Sequence, residues 1–149
     1  MSAAPEELRL MLLDGAMKFT LQAIEGLKQK NFEMSFNGFS QGRAIVLELA
    51  TGIKEDADPE LAERVRSIFL FIYRELMDAS FAKDAAKAEK ALELLTYERE
   101  TWVLAMQRAA AERGQSVPGR SAEHNAGRAD VGSAVNKTPT PARSFSAQG

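Results

Sequence analysis

From Pro5 onward, apolar residues recur at spacings of three and four: Leu8, Leu12, Ala16, Phe19, Ala23 and Leu27. This is the period of an α-helix, with about 3.6 residues per turn. Pro5 suits a first helical position, and Glu6 and Glu7 suit the positive end of the helix dipole. The pattern predicts a helix that ends near Lys30-Asn31. A second helix is expected from about Phe32–Ser35 to Thr51, with Gly52 as its stop. It carries Phe36, Phe39, Val46 and Ala50, together with Ile45 and Leu49. Gly38 and Gly42 lie inside it, where each costs about 1 kcal/mol against alanine, so close backbone packing is the expected reason for them. Asp58-Pro59-Glu60 reads as a cap, a first-position proline and an acid, and it opens a third helix along Leu61, Val65, Ile68, Ile72, Leu76 and Ala79. Lys83-Asp84 marks a short turn and a new cap. The fourth helix carries Ala88, Leu92, Leu95, Trp102, Met106 and Ala109 and stops before Gly114. No strand pattern competes. Four helices joined by short loops imply antiparallel neighbours, so the expected fold is all-α, an up-down-up-down four-helix bundle.

The pattern is also more apolar than a bundle requires. One stripe, about three positions in seven, is enough to face a core. The first helix adds Leu10, Leu13, Met17, Leu21 and Ile24 beside its stripe. In the third helix, residues 68–73 are apolar all the way round, and Leu70 and Phe71 fall on either side of the charged centre formed by Glu60, Glu63, Arg74 and Asp78. Each large side chain left in water forfeits about 1.5–3 kcal/mol. An excess of this size on more than one helix points to a surface that binds a protein or peptide. A homodimer face, or a helix covered by the C-terminal segment, would use the same excess.

Composition changes near Gly114. Residues 1–113 hold 15 Lys and Arg against 19 Asp and Glu, whereas residues 114–149 hold four against two. The later segment is rich in Pro, Gly, Ser and Asn, and its Ala and Val follow no period, so it is expected to be a disordered tail behind a bundle domain of residues 1–113. The formal charge of −2 gives no basic footprint for nucleic acid. No apolar run reaches the roughly 18–20 residues that span a bilayer. The N-terminus shows no signal peptide, which makes the cytoplasm the expected compartment.

Candidate chemistry is sparse. There is no cysteine, and the one histidine, His124, lies in the tail. A thiol nucleophile, a thiolate or multi-histidine metal site, a di-iron bundle and a histidine phosphotransfer bundle therefore lack their residues. No Gly-rich phosphate loop precedes a helix. Ser67 and Ser80 have no base beside them, and Glu89, Glu93 and Glu98 read as solvated helix faces. Glu48 reads as a surface acid, or as a partner of Arg43 or of a bound protein. Trp102 reads as core. No enzyme activity, cofactor or metal is expected.

Four strings carry a family resemblance. Residues 10–19, Leu-Met-Leu-Leu-Asp-Gly-Ala-Met-Lys-Phe, closely resemble the first-helix signature of the flagellar export chaperone FliS family. Residues 44–49, Ala-Ile-Val-Leu-Glu-Leu, resemble its second-helix block. Residues 71–77, Phe-Ile-Tyr-Arg-Glu-Leu-Met, resemble its Leu-Tyr-x-Tyr-Met region. Residues 94–102 resemble its closing block, which ends in Trp. Order and spacing agree over about residues 5–108. The resemblance implies a cytoplasmic four-helix bundle that binds the C-terminal segment of flagellin, disordered before assembly. It also implies that the bundle prevents premature polymerisation and delivers flagellin to the gate of the type III export apparatus. Leu13 stands where the family usually has Tyr, and the family's upstream covering segment is not expected here. The candidate partner-binding residues are Asp14, Gly15, Phe36, Phe39, Ile45, Leu49, Leu70, Phe71 and Tyr73, with Asp14 and Gly15 open to an architectural role instead. A self-associating structural or regulatory bundle with no export client is the other class that this pattern serves.

Overall fold

The structure is a computed structural model that describes residues 4–54 and 58–114. The expectations placed on residues 115–149, the tail and His124 among them, lie outside the described residues. The described chain is four α-helices: α1 (Pro5–Lys28), α2 (Phe32–Thr51), α3 (Pro59–Ala82) and α4 (Ala85–Glu112). Its contacts divide into one unit over residues 1–104 and a second from Ala105 on, so the last turns of α4 belong to the second unit. The helix packing, the core and the candidate site all lie within the first unit.

The helix ends follow local chemistry. The side chains of Asn31, Asp58 and Asp84 accept hydrogen bonds from the backbone N–H groups of Met34, Leu61 and Lys87. Each thereby satisfies an N–H group that the first helical turn leaves without a partner. Lys30 and Lys83 adopt left-handed backbone conformations that reverse the chain after α1 and α3. The Asn31 N–H then reaches back to the Gly26 carbonyl, and the Asp84 N–H to that of Ala79.

Contacts along α1 and α2 show that the two run antiparallel. Gly26 lies against Ser35, Gly38 against Ala23, Gly42 against Thr20 and Gly15 against Ile45. The backbones approach so closely that a Cβ on Gly38 would sit 2.6 Å from the Ala23 nitrogen. This confirms close packing as the reason for Gly38, whereas at Gly42 a Cβ would meet only ordinary contacts, the nearest 3.4 Å away at the Thr20 hydroxyl. Further ties run from α1 to α4, where Lys28 pairs with Glu89, Asp14 with Arg99, and the Trp102 indole N–H with the Glu6 carbonyl. These too descend one helix as they climb the other.

The core is made by Leu13, Ala16, Ala23 and Ile24 of α1, Phe39, Val46 and Leu49 of α2, Phe69, Ile72 and Leu76 of α3, and Ala88, Ala91 and Leu95 of α4. Two helices depart from the expected stripe. In α1 the buried line runs through Leu13, Ala16, Thr20 and Ala23, while Leu8 is exposed and Phe19 half-buried. The glycines of α2 bring its backbone onto small α1 residues, so the bulky Phe19 is displaced to the flank. Thr20 stays buried because its hydroxyl donates to the Ala16 carbonyl. In α3, Ile72, Leu76 and Ala79 are buried as expected, but Leu61 is exposed and Phe69, which lay off the expected stripe, is buried.

Candidate functional site

The candidate residues do not converge on one point. Phe39 and Leu49 lie in the core. Gly15 and Ile45 meet at the contact of α1 with α2. Asp14 is exposed and paired with Arg99. Leu70 and Tyr73 are half-buried against the core. Phe36 is exposed on α2, and Phe71 is exposed on the flank of α3 nearer Glu75, whose carboxylate pairs with Lys87 of α4.

Several exposed apolar side chains lie along α2 and α3, among them Phe36, Leu47, Met77 and Phe81. Arg66 of α3 donates to the Ile53 carbonyl beyond the end of α2, and the Lys83 ammonium lies 5.2 Å from the ring centre of Phe32 at the other end. Between these two contacts the helices run antiparallel, so Leu70 falls level with Leu47, and Phe81 with Phe36. Phe36, Ser40, Arg43 and Leu47 follow one another at spacings of four, three and four, as do Leu70, Arg74, Met77 and Phe81. Each set is therefore one stripe on its helix. The α2 stripe lies opposite Gly38, Gly42 and Ile45, which α1 covers. Phe36 is 59% exposed and Phe81 91%. Leu47 and Met77 are also exposed and were not foreseen. The signal was present, since Leu47 shares its stripe with Phe36, and Met77 and Phe81 share theirs with Leu70.

At the start of α1 a cation is held among rings. The Arg9 guanidinium lies 4.9 Å from the Trp102 ring centre and 5.6 Å from that of Phe69. Such stacking favours a cation that has lost much of its water. Burial lowers the Arg9 pKa, opposed by the nearby charge of Glu98; burial raises the Glu98 pKa, opposed by Arg9. A raised carboxyl pKa means that the folded state holds the proton more tightly than the unfolded chain does. The resulting contribution to stability is present below the ordinary carboxylate range and is lost as pH rises through the raised value. Glu98→Gln is expected to flatten that part of the profile, which melting temperatures of the two proteins across the acidic range would show.

Among the described residues no cluster of His, Asp and Glu could hold a metal ion, and no helix is long and apolar enough to cross a membrane. The surface offers apolar side chains at helical spacing, the means by which a bundle takes up a polypeptide.

Comparison with known proteins gives the class. Residues 1–109 match the family model described as flagellar protein FliS, and the chain belongs to that family. A relative, the flagellar secretion chaperone FliS of Bacillus subtilis (strain 168), is 26% identical over 106 residues, covering 71% of this chain and 78% of the relative. Family and relative together place the protein among flagellar secretion chaperones.

Proposed function

We propose that this protein is a cytoplasmic, non-enzymatic chaperone that binds the C-terminal segment of flagellin. It keeps that segment from polymerising early and delivers it to a component of the type III export gate. The family match over residues 1–109 carries the reading. The exposed α2–α3 stripes support it, because a client that is disordered when free loses about 2–5 kcal/mol or more in ordering and needs extended apolar contact to offset that. In this reading Phe36, Leu70, Phe71 and Tyr73 touch the client. Phe39, Ile45 and Leu49 shape the surface from beneath, and Asp14 and Gly15 hold α1 against α4 and α2. The chaperone body is residues 1–113, with 114–149 a compositionally separate segment.

Calorimetric titration with the last ~40 residues of the host's flagellin, a length of one or two helices, tests it. Saturable 1:1 binding with a large negative heat-capacity change is expected. No binding by a protein that sediments as a monomer would overturn the client assignment. No binding by a protein that sediments as a dimer would favour the self-associating bundle.

A further inference from the structure

At the end of the bundle where α1 and α3 begin and α2 finishes lies a cavity of about 600 Å³. That falls within the size range of pockets that hold a ligand or an anchoring side chain. Leu8, Leu12, Ile53, Leu61, Val65 and Trp102 line it. Leu8 and Leu61 are both exposed, so the apolar lining continues to the mouth.

The charges around it are uneven. Arg9 is taken up by the Phe69 and Trp102 rings, with Glu98 near it. That leaves Lys54 against Glu6, Glu48 and Asp58. Two of these acids have local reasons: Glu6 sits in the first turn of α1 and Asp58 caps α3, both at positive helix ends. Glu48 has none. It lies in the last turn of α2, where the helix dipole disfavours a carboxylate and where no basic residue accompanies it. It is exposed, and among the described residues no cation, Arg43 included, reaches it as an ion pair. An unpaired acid at the wrong helix end, on the rim of an apolar cavity, is complementary to a cation brought by a partner.

We infer that this cavity takes a large apolar side chain of a partner polypeptide whose neighbouring residue is Lys or Arg, and that Glu48 receives that cation. The inference rests on the cavity and its rim, and it holds whether or not flagellin is the client.

Trp102 is the chain's single tryptophan and lines the cavity, so its emission reports occupancy directly. The probe is a capped, tryptophan-free peptide of about 12 residues, some three helical turns, with leucines along one stripe and lysines on both flanks. Its counterpart has glutamate at every lysine. The lysine peptide is expected to shift Trp102 emission saturably and to bind about tenfold more tightly than the glutamate peptide at low salt, with added salt narrowing the gap. Glu48→Lys turns an attraction into a repulsion, so it should lower the lysine peptide's affinity about tenfold and raise that of the glutamate peptide. Leu8→Asp, also at the surface, should remove the Trp102 response to the lysine peptide without lowering the melting temperature. Equal binding of the two peptides would overturn the assignment, as would a preference that survives Glu48→Lys. So would calorimetric binding that leaves Trp102 emission unchanged, or no saturable response up to about 1 mM lysine peptide.

Discussion

Gly38→Ala is expected to destabilise the bundle by about 2–3 kcal/mol, although alanine is the better helix former by about 1 kcal/mol. The sign follows from what the added methyl meets. A Cβ at Gly38 would lie 2.6 Å from the Ala23 nitrogen and 2.7 Å from the Phe19 carbonyl oxygen. Both are backbone atoms in the middle of α1, so no side chain can turn aside to make room. Relief requires α1 and α2 to separate, which opens the packing of Ala16 and Ala23 against α2. Gly26→Ala should behave alike, its Cβ falling 2.6 Å from the Ser35 nitrogen and 2.9 Å from the Asn31 oxygen. Gly42→Ala is the internal control. Its Cβ would rest 3.4 Å from the Thr20 hydroxyl, an ordinary contact, so the helix-propensity gain should prevail and leave stability level or raised by up to about 1 kcal/mol. Urea unfolding of the three variants measures this directly. Equal effects at positions 38 and 42 would mean that the close approach does not constrain the pair.

This contact also explains where sequence reading succeeded and where it stopped. Helix ends were readable because their causes are local: Asp58 with Pro59, the turn at Lys83-Asp84, the stop at Gly52. The rotation of each helix about its axis was not. A period gives a stripe but leaves its centre to the neighbours, and α2's glycines draw α1's small residues inward at the expense of Phe19 and Leu8. Thr20 could not be foreseen as core, because its burial depends on a hydrogen bond to its own helix. For the site, Leu70 and Phe71 stood out as apolar residues beyond what a core can hold; Phe71 is exposed and Leu70 half-buried. Phe36, Phe39 and Leu49 were candidates together on α2, yet Phe36 is exposed while Phe39 and Leu49 are core, because the period alone does not say on which side of the stripe the core falls. The cavity and the Arg9–Trp102 stack were beyond reach. Each joins helix ends or residues far apart in the chain, which no local pattern connects.

Phe36 and Phe39 therefore give the sharpest separation of fold from function. Phe39 is 1% exposed and ranks among the largest fully buried side chains. Phe39→Ala removes its transfer energy and leaves a cavity between helices already held close, at an expected cost of about 3–5 kcal/mol. That is a large share of the roughly 5–15 kcal/mol that keeps a domain folded. Phe36, three residues earlier and 59% exposed, has little to lose on unfolding, so Phe36→Ala should leave stability within about 0.5 kcal/mol of the parent. Its effect should fall on binding instead. An exposed aromatic anchor level with Phe81 becomes buried only under a partner, and truncating such an anchor costs about 1–2 kcal/mol or more, roughly tenfold in the affinity for the flagellin segment. Phe81→Ala should act likewise, and the pair together less than additively if both touch the same stretch of client. Melting curves and flagellin titrations on the three single variants decide the matter. A Phe36→Ala protein that melts as early as Phe39→Ala would make the α2 stripe structural. A stable Phe36→Ala protein that binds flagellin at full strength would move the client to another face.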